Sequence, residues 1–269
     1  MKFILTNMLF AFFLLSNLAN AQSEPEQQNK TAIEDEAVVA QAVEVNGIKD
    51  QDWKRYRVML NGLDAFEKHH ALAPNAVQKF ILRPRQADVQ LTGVTLRLAS
   101  DDYSLPIPLA EDGTFSLPRD AKAKEQDSEL LINRKKALFR WWPYVRSPQL
   151  TVNQRRLGDL RLECEMFWAV NYDDAPFFLR NLVRAFGGPC ASKKVAISFP
   201  VDFQGIKSAT LIQGERRLVL PLDAKMSSFS APLFDQSFAD DAIIEIDYED
   251  NSTPRNQRNY SGLGVLVRF

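Results

Sequence analysis

The feature of this chain that most constrains its fold is a pattern that occurs twice. Residues 105–118 read LPIPLAEDGTFSLP, and residues 218–232 read LVLPLDAKMSSFSAP. The neighbouring signals recur in the same order, with TLRL at 95–98 and TLIQ at 210–213, then ELLI at 129–132 and IIEI at 243–246. Such self-similarity indicates two copies of one structural unit. The alternative is chance agreement between two similarly patterned β segments.

Both copies have the pattern of antiparallel strands. From residue 76 the chain consists of short apolar runs separated by turn residues. Asp112-Gly113 predicts a tight hairpin turn, because glycine readily adopts the positive φ that such a turn requires. Short strands at roughly ten-residue spacing are typical of a sandwich. We therefore predict a mainly β protein with two antiparallel β-sandwich modules, at 75–163 and 193–269.

Residues 111–118, EDGTFSLP, followed by an apolar strand, resemble the carboxypeptidase regulatory-like or transthyretin-like sandwich family. The resemblance covers about 77–135 and is weaker over 195–250, where MSSF stands in place of DGTF. It implies Ig/transthyretin-like modules and no catalytic residue, because the family module is a non-catalytic appendage. Residues 145–165 are also similar to uncharacterised exported proteins of proteobacteria, which implies a location rather than an activity.

The first 21 residues have the three parts of a secretory signal. One lysine precedes an apolar run at 8–15, and the segment ends in Ala-Asn-Ala. The run is short for a membrane span, which needs about 20 apolar residues, so we predict cleavage after Ala21; the alternative is an uncleaved anchor. Residues 22–50 are polar and acidic, which predicts a disordered tether. These features favour the periplasm of a Gram-negative bacterium.

Residues 51–74 are predicted to form an amphipathic helix. Apolar residues recur there every three or four positions, and the opposite face carries charged residues. Asp50 or Asp52 is placed to cap the start of the helix, and Pro74 is placed to end it. We expect this helix to lie on the surface of a module.

A second helix is predicted within the segment 164–192, which links the two modules. Residues 157–172 have the pattern of a long strand, and the short helix follows, with Asp173 or Asp174 as its cap and two glycines at its end. Cys164 and Cys190 are the two cysteines of the chain. In an oxidising compartment they are expected to pair and to clip the helix to the strand before it. The alternative is two buried free thiols.

The composition argues against several functions. A formal net charge of -1 gives no field that would attract nucleic acid. His69 and His70 are the two histidines of the chain, and adjacent residues of a helix point in different directions, so no metal site is predicted. A Ser-His-Asp or Cys-His site would have to use one of these histidines. We predict no cofactor and no catalytic residue.

The strongest candidate for a ligand surface is a cluster of aromatic and basic residues, namely Arg140, Trp141, Trp142, Tyr144 and Arg146. Exposed aromatic rings bind sugars or peptide side chains, and a neighbouring arginine adds cation–π contacts. The alternative is that both tryptophan rings cover the core.

These features predict a non-enzymatic periplasmic binding or envelope-assembly protein. Its partner would be an envelope protein or a glycan, and the mature chain would have no transmembrane span. One alternative is a carboxylate-based hydrolase that acts on envelope glycans. Another is an outer-membrane-associated component, because residues 263–269 alternate up to a terminal phenylalanine, although a closing strand of the second module is favoured. The oligomeric state stays open.

Overall fold

The computed structural model describes residues 49–86, 88–203 and 205–250 and the backbone of 265–267. The signal peptide with its cleavage position Ala21, and nearly all of the predicted tether, lie outside these residues. The described chain is mixed α/β, with more strand than helix and several antiparallel sheets. The expectation of a strand-rich chain with antiparallel sheets is therefore confirmed.

The first half of the described chain starts with a strand and a helix, and six further strands follow. Its elements are β1 (Gln51–Arg55), α1 (Tyr56–His69), β2 (Val77–Pro84), β3 (Leu96–Ser100), β4 (Tyr103–Ile107), β5 (Thr114–Phe115), α2 (Ala121–Glu125), β6 (Glu129–Lys135) and β7 (Phe139–Arg146). A single 3-10 turn, His70–Leu72, extends α1.

The second half also starts with a strand and a helix, and it has one additional helix before its six further strands. Its elements are β8 (Gln154–Arg156), α3 (Leu157–Asn171), α4 (Phe177–Ala185), β9 (Val195–Pro200), β10 (Ile206–Gln213), β11 (Arg216–Val219), β12 (Ser228–Ser230), β13 (Ile243–Tyr248) and β14 (Val265–Val267).

The two halves form sheets with the same strand order. In the first half the antiparallel sheets are β1-β6-β3-β4 and β5-β2-β7. In the second half they are β8-β13-β10-β11 and β12-β9-β14. Each described strand of one half thus has a counterpart in the other, and α1 corresponds to α3. The repeated signals of the sequence reappear as a repeated topology, while the domain boundaries stay a prediction.

The repeated Phe-Ser dipeptides occupy corresponding positions in the two halves. Phe115 of β5 lies opposite Phe80 of β2, with ring centroids 5.7 Å apart. Phe229 of β12 lies opposite Phe199 of β9, with ring centroids 6.2 Å apart. All four rings are buried, so the sequence pattern repeats because the same core contact repeats.

Each of the two corresponding helices begins directly after a strand. The backbone N–H of Tyr56 donates to the carbonyl of Ser128 at 3.0 Å, and that of Leu157 donates to the carbonyl of Ala242 at 2.9 Å. The helix expected at 51–74 is therefore shorter, because its first five residues form β1, and neither predicted aspartate caps it. A helix start whose first N–H donates to the residue just before another strand, as here before β6 and β13, depends less on a side-chain cap.

The prediction of a long strand at 157–172 is wrong, because these residues form α3. Eleven of the fifteen residues of α3 are buried. A helix that is enclosed on nearly all sides has no single apolar face, so its sequence lacks the pattern that identifies a surface helix. The helix packs against α1 and contributes Leu162, Met166 and Val170 to the core of the first half.

The Asp-Gly turn is present, but it does not join two paired strands. Gly113 has φ +84°, and a β-carbon there would lie 2.5 Å from the carbonyl oxygen of Leu82. The tight turn is therefore confirmed, whereas the hairpin is wrong. The strand before the turn, β4, pairs with β3, and the strand after it, β5, pairs with β2, so the chain crosses here from one sheet to the other.

The disulfide between Cys164 and Cys190 is confirmed, with Cα atoms 5.8 Å apart. Because residue 164 lies in α3, the bond clips the segment after α4 to a helix and not to a strand. The short helix is present and ends at two glycines with positive φ, but its cap is Pro176 and neither aspartate caps it. Phe177 and Phe178 in the first turn of this helix are each 71% exposed.

Two observations bear on the predictions about membranes. No helix among the residues that the structure describes is long and apolar enough to cross a membrane. Near the C-terminus, β14 pairs with β9 of the second half, which is the position expected of a closing strand. The terminal Phe269 lies outside the described residues.

Candidate ligand pocket

A cavity of about 450 Å³ lies where strands of the first half meet the connection between the halves and a bend of the second half. The connection, 147–153, runs from the end of β7 to β8, and the bend follows β9. The polar residues of the wall include Arg83, Asp112, Tyr144, Arg146, Thr151 and Asp202. The apolar residues include Ile81, Leu91, Leu150, Val152 and Phe203. We refer to this cavity as the pocket.

Strand pairing brings the arginines of the pocket to one face of one sheet. In the antiparallel pair β2–β7, Val77 lies opposite Arg146 and Arg83 lies opposite Arg140. Because successive side chains of a strand point to opposite faces, the odd-numbered residues of β2 share a face with the even-numbered residues of β7. This face packs against α3 through Ile81, Trp142 and Phe167, and it carries Arg83 and Arg146 at the pocket.

Asp202 connects the two arginines of the pocket. Its Oδ1 accepts a hydrogen bond from Arg83 Nη2 at 3.0 Å, and its Oδ2 accepts one from Arg146 Nη2 at 3.3 Å. Burial alone would raise the pKa of Asp202, but the charges of Arg146 and Arg83 outweigh burial and hold the pKa well below its usual range. The carboxylate therefore stays ionised, and it joins the bend of the second half to two strands of the first.

A buried carboxylate behind the pocket wall, that of Glu163, binds one of the two arginines of the pocket. Glu163 of α3 accepts hydrogen bonds from Trp142 Nε1 at 2.8 Å, Arg155 Nη2 at 3.0 Å and Arg146 Nη1 at 3.2 Å. Burial lowers the pKa of Arg155, and the positive charge of Arg146 lowers it further. Burial opposes the charge of Arg146 as well, but Asp202 and Glu163 raise its pKa overall. Glu163 thus fixes the position of the guanidinium group that Asp202 holds from the other side.

The connection between the halves is anchored at its first residue. Asp159 of α3 accepts a hydrogen bond from the backbone N–H of Ser147 and another from its hydroxyl group, each at 2.7 Å. Both side chains are buried. Beyond this anchor Val152 is 69% exposed at the rim of the pocket.

The structure divides the five residues of the predicted ligand surface into two groups. Trp141 and Trp142 are only 8% and 6% exposed, and their indole N–H groups donate inward to Asp52 and Glu163. The tryptophans therefore cover the core, as in the alternative considered from the sequence.

The other three residues remain near the surface. Tyr144 and Arg146 line the pocket, and the guanidinium carbon of Arg146 lies 4.1 Å from the centre of the Tyr144 ring. Arg140 is partly buried on the same face, next to the pocket. The predicted surface thus contributes two of its five residues to the pocket.

The remaining sequence candidates do not converge on a site. His69 Nε2 lies 3.9 Å from Glu165, and among the described residues no group of three or more histidine, cysteine, aspartate or glutamate side chains is placed to hold a metal ion. A second cavity of about 470 Å³ is lined by acidic residues, including Asp101, Asp102 and Asp127. Neither Trp141 nor Trp142 lines it.

Comparison with family models, curated proteins and solved structures finds no match to this chain. The assignment of a function therefore depends on the geometry of the pocket and on the repeated fold.

Proposed function

We propose that this chain is a non-enzymatic binding protein of the periplasm and that the pocket is its ligand site. The carrying observation is a cavity of about 450 Å³ whose two arginines are held in place by an aspartate of the other half. Its volume falls in the range of about 300–1,000 Å³ that is usual for small-molecule sites. Mostly apolar walls with a few fixed polar groups are also typical of such sites.

The proposed architecture is a pair of sandwich modules similar to the carboxypeptidase regulatory-like family. The duplicated strand order supports this architecture, since each half contributes one sheet of four described strands and one of three. The proposed location is the periplasm. The Cys164–Cys190 disulfide supports it, because disulfides persist in oxidising compartments, and the signal-like residues 1–21 agree with it.

The chemistry of the carboxyl groups favours binding over hydrolysis. A glycosidase needs a carboxylic acid with a raised pKa beside a carboxylate. In this pocket Asp202 has a lowered pKa, because two guanidinium groups face it. Asp52 and Glu165, whose pKa values lie above the ordinary value because of burial, do not line the pocket. The pocket therefore has fixed charges suited to holding a ligand, and hydrolysis of envelope glycans is the weaker proposal.

The proposal is tested by blocking the pocket at its rim. Val152→Trp places a bulky ring at an exposed position of the rim, where the fold does not depend on the native side chain. Val219→Trp is the matched control, because Val219 is similarly exposed, at 72%, and lies on β11 outside the pocket. Wild-type and variant proteins are immobilised and incubated with an extract of bacterial cell envelope, and the bound small molecules and glycans are identified by mass spectrometry.

We expect wild-type protein and Val219→Trp to retain the same compound and Val152→Trp to retain little of it. Equal retention by all three proteins would show that the pocket is not the ligand site. If wild-type protein converts the retained compound chemically and Val152→Trp does not, the pocket is a catalytic site. The hydrolase proposal would then replace the binding proposal.

A further inference from the structure

The charged side chains that line the pocket balance one another. Arg83 and Arg146 supply two positive charges, and Asp112 and Asp202 supply two negative charges. An anionic ligand would have to compete with Asp202 for the two guanidinium groups that it already binds. A cationic ligand would have to approach those same guanidinium groups. The arrangement therefore favours a ligand without net charge.

The same side chains offer donors and acceptors next to each other. Arg146 has five N–H groups and makes three hydrogen bonds to the described residues, to Val145, Glu163 and Asp202. Each oxygen of Asp202 accepts one hydrogen bond from an arginine, whereas a carboxylate oxygen can accept about two. A hydroxyl group is both a donor and an acceptor. Neighbouring hydroxyl groups of a ligand would match this pair of residues.

The walls of the pocket provide the apolar part of the recognition. Leu91, Leu150 and Val152 lie on its sides, and Phe203 adds an aromatic ring. A saccharide ring has this dual character, because its C–H groups form apolar faces and its hydroxyl groups project from the edge. Sites of this kind combine apolar walls with a few fixed polar groups that set the orientation of the ligand.

We infer that the pocket binds an uncharged saccharide, taken up as a short segment of an envelope glycan. Arg146 and Asp202 bind neighbouring hydroxyl groups, and Leu91, Leu150 and Phe203 contact the C–H faces of the ring. The inference rests on the binding function proposed above and adds the chemical class of the ligand.

The test uses trisaccharides that differ in charge. The uncharged probes are the N-acetylglucosamine trimer and the glucose trimer, the cationic probe is the glucosamine trimer, and the anionic probe is the galacturonic acid trimer. Binding to the folded wild-type protein is measured by isothermal titration calorimetry. We expect at least one uncharged trimer to bind more tightly than both charged trimers by about tenfold or more.

Three variants assign the binding to the pocket. Val152→Trp is expected to lower the affinity for the uncharged trimer by about tenfold or more, whereas Val219→Trp leaves this affinity unchanged. Asp202→Asn keeps the shape of the side chain but removes a negative charge beside Arg83 and Arg146. We expect this variant to bind the uncharged trimer more weakly than wild-type protein does and to bind the galacturonic acid trimer more tightly.

The outcomes separate this inference from the proposed function. Tighter binding of a charged trimer overturns the inference that the ligand is uncharged, but it keeps the pocket as a ligand site if Val152→Trp abolishes that binding. Failure of both uncharged trimers to bind overturns the inference, even where the envelope extract yields a compound whose retention depends on Val152. If the extract yields no such compound either, the proposed function also fails. Binding that is equal in Val152→Trp and Val219→Trp places the saccharide outside the pocket and overturns the inference.

Discussion

Gly62 of α1 lies so close to Val170 of α3 that a β-carbon at position 62 would come within 2.6 Å of Val170 Cγ2. The ring of Phe80 is 3.2 Å from the same point. The two corresponding helices of the repeat therefore meet where α1 has no side chain. Through this contact α3, which belongs to the second half of the chain, completes the core of the first half.

The first prediction concerns this helix crossing. We expect Gly62→Ala to lower the free energy of unfolding by about 1 kcal/mol, because overpacking costs about 1–3 kcal/mol and exceeds the gain in helix propensity of about 0.5–1 kcal/mol. Asn61→Ala is the control, because Asn61 is the exposed neighbour on the same helix. Urea denaturation measures both variants. A Gly62→Ala protein as stable as Asn61→Ala would show that the helices do not meet at this residue.

The second prediction concerns the buried carboxylate under the pocket. We expect Glu163→Gln to lower the free energy of unfolding by about 3–5 kcal/mol, because it leaves the buried charge of Arg155 without its carboxylate. Asp174→Asn makes the same chemical change in a pair with Lys54, where the aspartate is exposed. Its expected loss is less than about 1 kcal/mol. Similar losses of stability in the two variants would show that the buried ion pair of Glu163 matters no more to the fold than the exposed pair of Asp174.

The third prediction concerns the disulfide. The bond closes a loop with a sequence separation of 26, so removing it is expected to cost about 3.5 kcal/mol of stability in the chain-entropy estimate. The double variant Cys164→Ala, Cys190→Ala is compared with wild-type protein by urea denaturation, with and without a reductant. We expect the reductant to destabilise wild-type protein by a similar amount and to leave the variant unchanged. A reductant that affects both proteins equally would point to a different cause.

The fourth prediction concerns pH. The pKa of Asp202 in the folded protein lies below its value of about 3.9 in an unfolded chain, because Arg146 and Arg83 stabilise the carboxylate. The unfolded chain therefore binds the proton more readily, and the stability that Asp202 contributes is fully present above about pH 4 and declines as the pH falls further. The measurement is the difference in free energy of unfolding between wild-type protein and Asp202→Asn. We expect this difference to shrink on acidification below about pH 4, and a constant difference would contradict the ion pairs at Asp202.

The sequence was informative where the pattern was local. The Asp-Gly dipeptide predicts the turn at Gly113, and the two glycines predict the end of α4, because both depend on backbone preferences of a few adjacent residues. The predicted pairing of Cys164 with Cys190 required only the number of cysteines and an oxidising compartment. These predictions did not depend on which other segments lie nearby.

The pocket could not be predicted from such patterns. Arg83 and Asp202 are 119 positions apart, and the bond between them depends on how the halves pack. The sequence does not single out Glu163, because α3 is enclosed by other elements and its residues have the pattern of a strand. The sequence predicts Trp141 and Trp142 on a ligand surface, but the alternation of side chains in β7 and the packing of α3 bury both rings.

The sequence by itself determined that a strand-rich unit occurs twice, because identical core contacts such as Phe80–Phe115 and Phe199–Phe229 require similar residues at corresponding positions. Only the tertiary structure decided that α1 and α3 are counterparts, that they cross at Gly62, and that charged residues from both halves meet at Asp202. The physical reason is that a core position constrains its own residue type, whereas an ion pair between distant segments leaves no regular spacing in the sequence.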